Sequence, residues 1–140
     1  MHIVIVPSWY PGNRDDMAGM FFKEQAIALE NENIDVTIAY VETRSAKKIF
    51  KDLITGVWHS GYSHTNEMLN EYRYKIYNIF MKIPYGRELL IYIKLKKIIN
   101  KIENEVGKID LIHLHSFLSH GYAVYNIKKT KNINYVIYIF

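Results

Sequence analysis

The sequence predicts an α/β fold on a mostly parallel sheet, and three observations point there. Apolar runs at 3–6, 36–41 and 135–140 are nearly continuous rather than alternating, the pattern of strands buried on both faces. Amphipathic stretches at 20–30 and 88–106 separate them. Strands that alternate with helices build βαβ units with right-handed crossovers. The 140 residues suffice for one domain with a substantial core.

Each element has a local reason. Ile3–Val6 is a β-branched run that Pro7 stops. A turn-rich loop from Pro7 to Gly19 follows, with Pro11, Gly12, Asn13, Asp15 and Asp16. Phe22, Ala26 and Leu29 lie four and three residues apart, on one face of a helix over 20–30. Asn31–Asn33 ends it, and Val36–Val41 is the second strand. The segment 42–86 carries weaker signals: a short helix over 47–54, then alternation at Tyr72, Tyr74 and Ile76, extended to Asn78 and Phe80, for a strand. Pro84 and Gly86 punctuate its end. A long helix over 88–106 has an apolar stripe of Ile91, Leu95, Ile98, Ile102 and Val106, with Lys94, Lys97, Lys101 and Glu105 opposite and Gly107 as its stop. A strand at 109–115, a helix at 121–131 and a strand at 135–140 complete the chain.

Composition excludes some chemistry. The chain has no cysteine, so disulfides and cysteine-based zinc or iron–sulfur sites are ruled out. A formal charge of +4, spread along the chain, makes no case for nucleic acid. The run at 3–6 is too short for a secretory h-region, and no stretch approaches the ~20 apolar residues of a membrane span. A cytoplasmic protein is expected, with contact at the inner face of the cytoplasmic membrane as the further option. The lysine-bearing face of the long helix is either a solvated face or one that leans on anionic lipid.

In open parallel sheets ligands bind beyond the carboxyl ends of the strands. Two segments fall there: Ser8, Trp9, Tyr10 and Gly19 after the first strand, and His115-Ser116 at the end of the 109–115 strand. Gly19 precedes a helix start, whose free N–H groups suit an anion, and would let a ligand approach the backbone. Trp9 and Tyr10 either contact a ligand or pack the loop. His113 reads as an interior histidine. A His113-x-His115 metal pair lacks a third ligand nearby, so no metal is expected. Asp15-Asp16 reads as a solvated pair. No phosphate-binding glycine loop, dinucleotide fingerprint or nucleophile elbow is present.

Two motifs carry a resemblance. Pro7-Ser8-Trp9-Tyr10-Pro11 followed by Gly19-Met20-Phe21-Phe22-Lys23-Glu24-Gln25 resembles the opening of bacterial family 4 glycosyltransferases. Asp110-Leu111-Ile112-His113-Leu114-His115-Ser116, with Gly121-Tyr122-Ala123 after it, is similar to that family's Asp-x-x-His-x-His segment. The resemblance implies a Rossmann-like three-layer α/β/α domain, the N-terminal, acceptor-side half of a GT-B fold. It implies retaining transfer of a sugar from a nucleotide-sugar donor to a cell-surface glycan or lipid-linked acceptor, without metal or other cofactor. Gly19 would lie near the donor diphosphate, His115 would line the reaction centre, and Trp9, Tyr10 and Ser116 would shape the acceptor side. The family's donor-binding half has no counterpart here, so residues 1–140 are expected to be an N-terminal domain, incomplete and inactive alone. The alternatives are a non-catalytic subunit of a split transferase, or a flavodoxin-like small-molecule binder using the 7–19 loop.

Overall fold

The computed structural model describes residues 1–11, 16–17 and 19–138. Gly12, Asn13 and Asp15 of the expected loop, and Ile139 and Phe140 of the last expected strand, lie outside them. The elements run β1 (His2–Val6), α1 (Met20–Asn31), β2 (Asp35–Ser45), a 3-10 turn (Ala46–Lys48), α2 (Ile49–Ile54), β3 (Gly61–Asn66), β4 (Asn70–Asn78), α3 (Gly86–Glu105), β5 (Leu111–His115), α4 (Phe117–Lys131) and β6 (Asn134–Tyr138). The six strands form one sheet in the order β3-β4-β2-β1-β5-β6. All neighbours are parallel except β3, which runs antiparallel to β4. The fold is the α/β architecture that the apolar runs predict, consistent with a Rossmann-like α/β/α domain.

β1 is central, and all five of its residues are buried. Its side chains serve both layers, as a β-branched run must in a two-sided sheet. Val4 and Val6 join the larger core with Ala39, Ile112, Leu114 and the stripe of α3. Ile3 and Ile5 join the smaller core with Val36, Ile38 and Ala26 of α1. Helices α3 and α4 pack against each other over the larger core, while α1 covers the other face. That leaves Val136 and Tyr138, on the α1 side of β6, exposed.

The structure departs from the sequence expectation in one whole strand and in several boundaries. β2 continues to Ser45 because β4 pairs with it from Thr37 to Ser45. The β4 strand stops at Asn78, short of Phe80. β3 carries no hydrophobic alternation and is exposed along its whole length. It exists because β4 offers it a paired edge, reinforced by Tyr62 against Tyr74 and His64 stacked on Tyr72 at 4.2 Å. Helix α4 starts at Phe117, four residues before the expected Gly121, because Ser116 accepts a bond from the Leu118 N–H. Phe117 and Leu118 are exposed, so this first turn has no apolar periodicity to reveal it.

The stripe of α3 holds for Ile91, Leu95, Ile98 and Ile102, each at most 1% exposed, but not for Val106, which lies past the helix end in solvent. Leu95→Ala should therefore lower unfolding free energy by about 2–5 kcal/mol, while Val106→Ala stays within about 0.5 kcal/mol. Urea titration of both variants checks the pair.

Candidate functional site

Strand order reverses at β1: the chain steps from β1 to β2 on one side and later fills β5 on the other. Such a switch point opens a crevice between the loops that leave the two strands. Here the loops are physically tied. The Ser8 hydroxyl donates to the carbonyl of His115. The Trp9 ring stacks on Phe22 of α1 at 6.4 Å and 11°. Phe22 in turn lies over the His115 imidazole at 4.4 Å between centroids. Trp9, Gly19, His115 and Ser116 thus gather at one place.

Gly19 sits at φ 75, and a Cβ there would come 2.5 Å from the Trp9 carbonyl oxygen. The glycine is required by the chain's own backbone, since the two ends of the loop touch across it. Ser116 is also left-handed, at φ 73 and ψ 131, which is strained for a residue with a side chain. Its N–H donates to Tyr138 at 3.0 Å, so β6 holds this turn in place. Helices α1 and α4 both start where these loops leave the strands, and neither has an acidic residue in its first turn.

His115 is completely buried, yet neither ring nitrogen has a hydrogen-bond partner among the described residues. Burial first, and the neighbouring His113 second, push its pKa down to about 4. The ring is neutral at pH 7, with one N–H and one lone pair unused. His113 lies edge-on to it, 4.6 Å away, with its own pKa lowered by burial. Among the described residues no group of three His, Asp or Glu side chains is placed to hold a metal ion.

Tyr10 points elsewhere. Its hydroxyl donates to Glu71, and its ring packs on Tyr40 at 6.2 Å. Burial first, and the bond to Glu71 second, raise its pKa. Arg73 lies 5.4 Å from the centroids of both tyrosines and donates to the Pro11 carbonyl at 2.5 Å. Tyr10, Pro11, Glu71 and Arg73 edge a groove of about 800 Å³ between α1 and the β3–β4 pair, lined also by Lys23, Glu24 and Lys75. The structure thus separates Tyr10 from the His115 cluster and gives it a second surface.

Three residues at or beside the site escaped sequence reasoning. Phe22 reads as a core position on α1, and only packing makes it the cover of His115. Arg73 sits in a strand whose visible signal was its tyrosines. His120, buried in α4, donates from Nε2 to the Val41 carbonyl at 3.1 Å, and burial pushes its pKa down to about 4. Its one sequence cue is a histidine close after the His115-Ser116 turn.

No protein-family model matches the chain, and no curated protein matches it.

Gly19→Ala should cost about 1–3 kcal/mol, read from a denaturant midpoint, because the left-handed backbone and the Trp9 carbonyl both oppose a methyl group. His115 and His120 titrate near 4 when folded against 6.5 ordinarily, so the unfolded chain binds more protons in between. Stability should be full above about pH 6.5 and fall towards pH 4. His115→Phe should make that decline shallower and hold or raise stability at pH 7, because two unpartnered nitrogens leave the core. Thermal unfolding at pH 7 and pH 5 decides, and a large loss at pH 7 would show that the nitrogens are satisfied.

Proposed function

We propose that this domain is the acceptor-side half of a retaining glycosyltransferase that works on a cell-surface glycan or lipid-linked acceptor. The observation that carries the reading is His115: a neutral, buried imidazole with two unused hydrogen-bonding positions at the switch point. Buried polar groups are almost always paired, and an unpaired one is a reason to look for an absent partner. Sugar hydroxyls are both donors and acceptors, and so match a neutral imidazole on both nitrogens. The helix starts beside Gly19 and Ser116 suit the anionic diphosphate of a nucleotide-sugar donor. The resemblance of the 7–25 and 110–123 segments to family 4 glycosyltransferases supports the same roles.

In this reading the bond from the anomeric carbon to the diphosphate oxygen breaks, and the acceptor hydroxyl takes that carbon from the same face. The hydroxyl proton leaves with the departing phosphate. His115 hydrogen-bonds the transferred sugar as charge develops, while Ser116 and Trp9 border the acceptor. Phe22 must swing off the imidazole for the sugar to enter, and Trp9, stacked on it, moves as well. The donor nucleotide is held by a donor-binding half, as a second domain or a subunit. A lipid-linked acceptor would set the reaction at the inner face of the cytoplasmic membrane.

The first test is titration with UDP-glucose, GDP-mannose and simple methyl glycosides, read from the NMR signals of the His115 ring and the Trp9 indole. Sugars or nucleotide sugars should shift both and leave the Trp58 indole unchanged. No shift at millimolar concentration, or a shift with flavin mononucleotide alone, overturns the reading. With a donor-binding half supplied, His115→Ala should reduce transfer by about 100-fold or more.

A further inference from the structure

Helix α2 is built inside out. Its one buried residue is Asp52, 1% exposed, while Phe50 and Ile54 are 75% and 71% exposed. Asp52 faces inward because its carboxylate is fully engaged there. Arg44 donates to it from Nε and Nη2 at 2.6 and 2.7 Å, and the Tyr77 hydroxyl adds a third bond at 2.7 Å. Those bonds, the Arg44 pair first, hold the acid well below its usual range. An ordinary surface helix hides its apolar side and shows its charges. Here a polar anchor rotates the helix so that Phe50, Leu53 and Ile54 face water, with Val57 and Trp58 exposed beyond it.

A second apolar segment stands alongside. β2 and β4 are parallel, with Ser45 paired to Asn78, so the segments after them leave the sheet at the same edge. Ile79, Met81, Ile83 and Tyr85 are all exposed, and the Ser45 hydroxyl reaches Met81 Sδ at 3.4 Å. Trp58 packs its ring on Tyr77 at 5.2 Å, which ties the first segment to β4. Lys47, Lys48, Lys51 and Lys82 are interspersed with these apolar side chains, and Asp52, already neutralised by Arg44, is the one acid in 46–58 and 79–85.

We propose that this edge docks on an anionic bilayer surface. Exposed aromatic and aliphatic side chains enter the headgroup–acyl boundary, while flanking lysines meet lipid phosphates. The lysines decide against a protein partner, because lysine is depleted at the core of protein interfaces. The surface differs from the basic face of α3. There Lys94 and Lys101 lie over the rings of Tyr74 and Tyr62 at 5.0 and 4.7 Å, and so are already engaged. The docking edge lies at the carboxyl ends of the strands, as does His115, so a docked molecule turns that end of the sheet toward the lipid. The inference stands apart from the transferase reading, since it rests on no residue of that site.

The test is co-sedimentation of the full chain with phosphatidylcholine vesicles, with and without phosphatidylglycerol. Binding should require the anionic lipid and weaken with salt. Phe50→Ser/Ile54→Ser should weaken it at least about tenfold, and Lys47→Glu/Lys48→Glu/Lys51→Glu by at least about fivefold per lysine at low salt. All five positions are solvent-facing, so unfolding temperatures should barely move. Should a variant fail to fold, brominated lipids should still quench Trp58 in a Trp9→Phe chain. Any of three results overturns the proposal: no binding to anionic vesicles, equal binding to neutral ones, or a self-association or protein capture that Phe50→Ser/Ile54→Ser abolishes while vesicle binding is absent.

Discussion

The register of β1 against its two parallel neighbours sets the position of every other feature at the carboxyl end of the sheet. Ile3 pairs with Val36 on one side and Leu111 on the other. The start of that register is locked by polar groups. The His2 N–H donates to the Asp110 carboxylate at 2.8 Å, and its ring meets Thr37 Oγ1 and the Lys108 carbonyl. The backbone bond from His2 is the main cause that holds the Asp110 carboxyl below its usual range. A slip of one residue would exchange the faces of β5, putting Ile112 and Leu114 under α1 and the two histidines into the larger core. The pairing seen puts His115 beneath Phe22, at the end of the strand next to β1.

Buried polar groups divide this molecule into places that are finished and places that are not. Asp52 has three donors on its carboxylate. The buried His120 has its carbonyl, and the Tyr72 hydroxyl donates to Glu105 at 2.7 Å. These side chains hold elements together. His115 is buried as deeply and is bonded to nothing among the described residues through its ring. Its backbone, by contrast, is well held by Ser8 and by the strand ladder. His115 is thus gripped through its backbone and idle at its ring.

Two of the apolar surfaces left open have different characters. Around β6, Val136 and Tyr138 are exposed because one helix covers a face that two helices cover opposite. Around α2, exposure results from an ion pair that turns the helix over. The first is a gap in a layer; the second is held in place by directed bonds.

The apolar runs and the i, i+4 stripes made the layers legible. Ile3–Val6 can only be a strand with two covered faces, and Ile91, Leu95, Ile98 and Ile102 can only be one side of a helix. Trp9, Gly19, His115 and Ser116 were legible as site candidates because the carboxyl-end rule needs only strand order along the chain. Strand β3, the first turn of α4 and the exposure of Val106 were not, because none leaves a periodic apolar signal. The separation of Tyr10 from Trp9, adjacent in sequence, was also hidden, since it depends on Glu71 and Arg73 from a strand sixty residues away. Hydrophobic periodicity is a local property, so the sequence by itself determined the layers and the loops at their ends. Partnership between buried polar groups depends on contacts across the sheet. Only the tertiary structure could therefore decide which histidine ring goes unbonded and which way α2 faces.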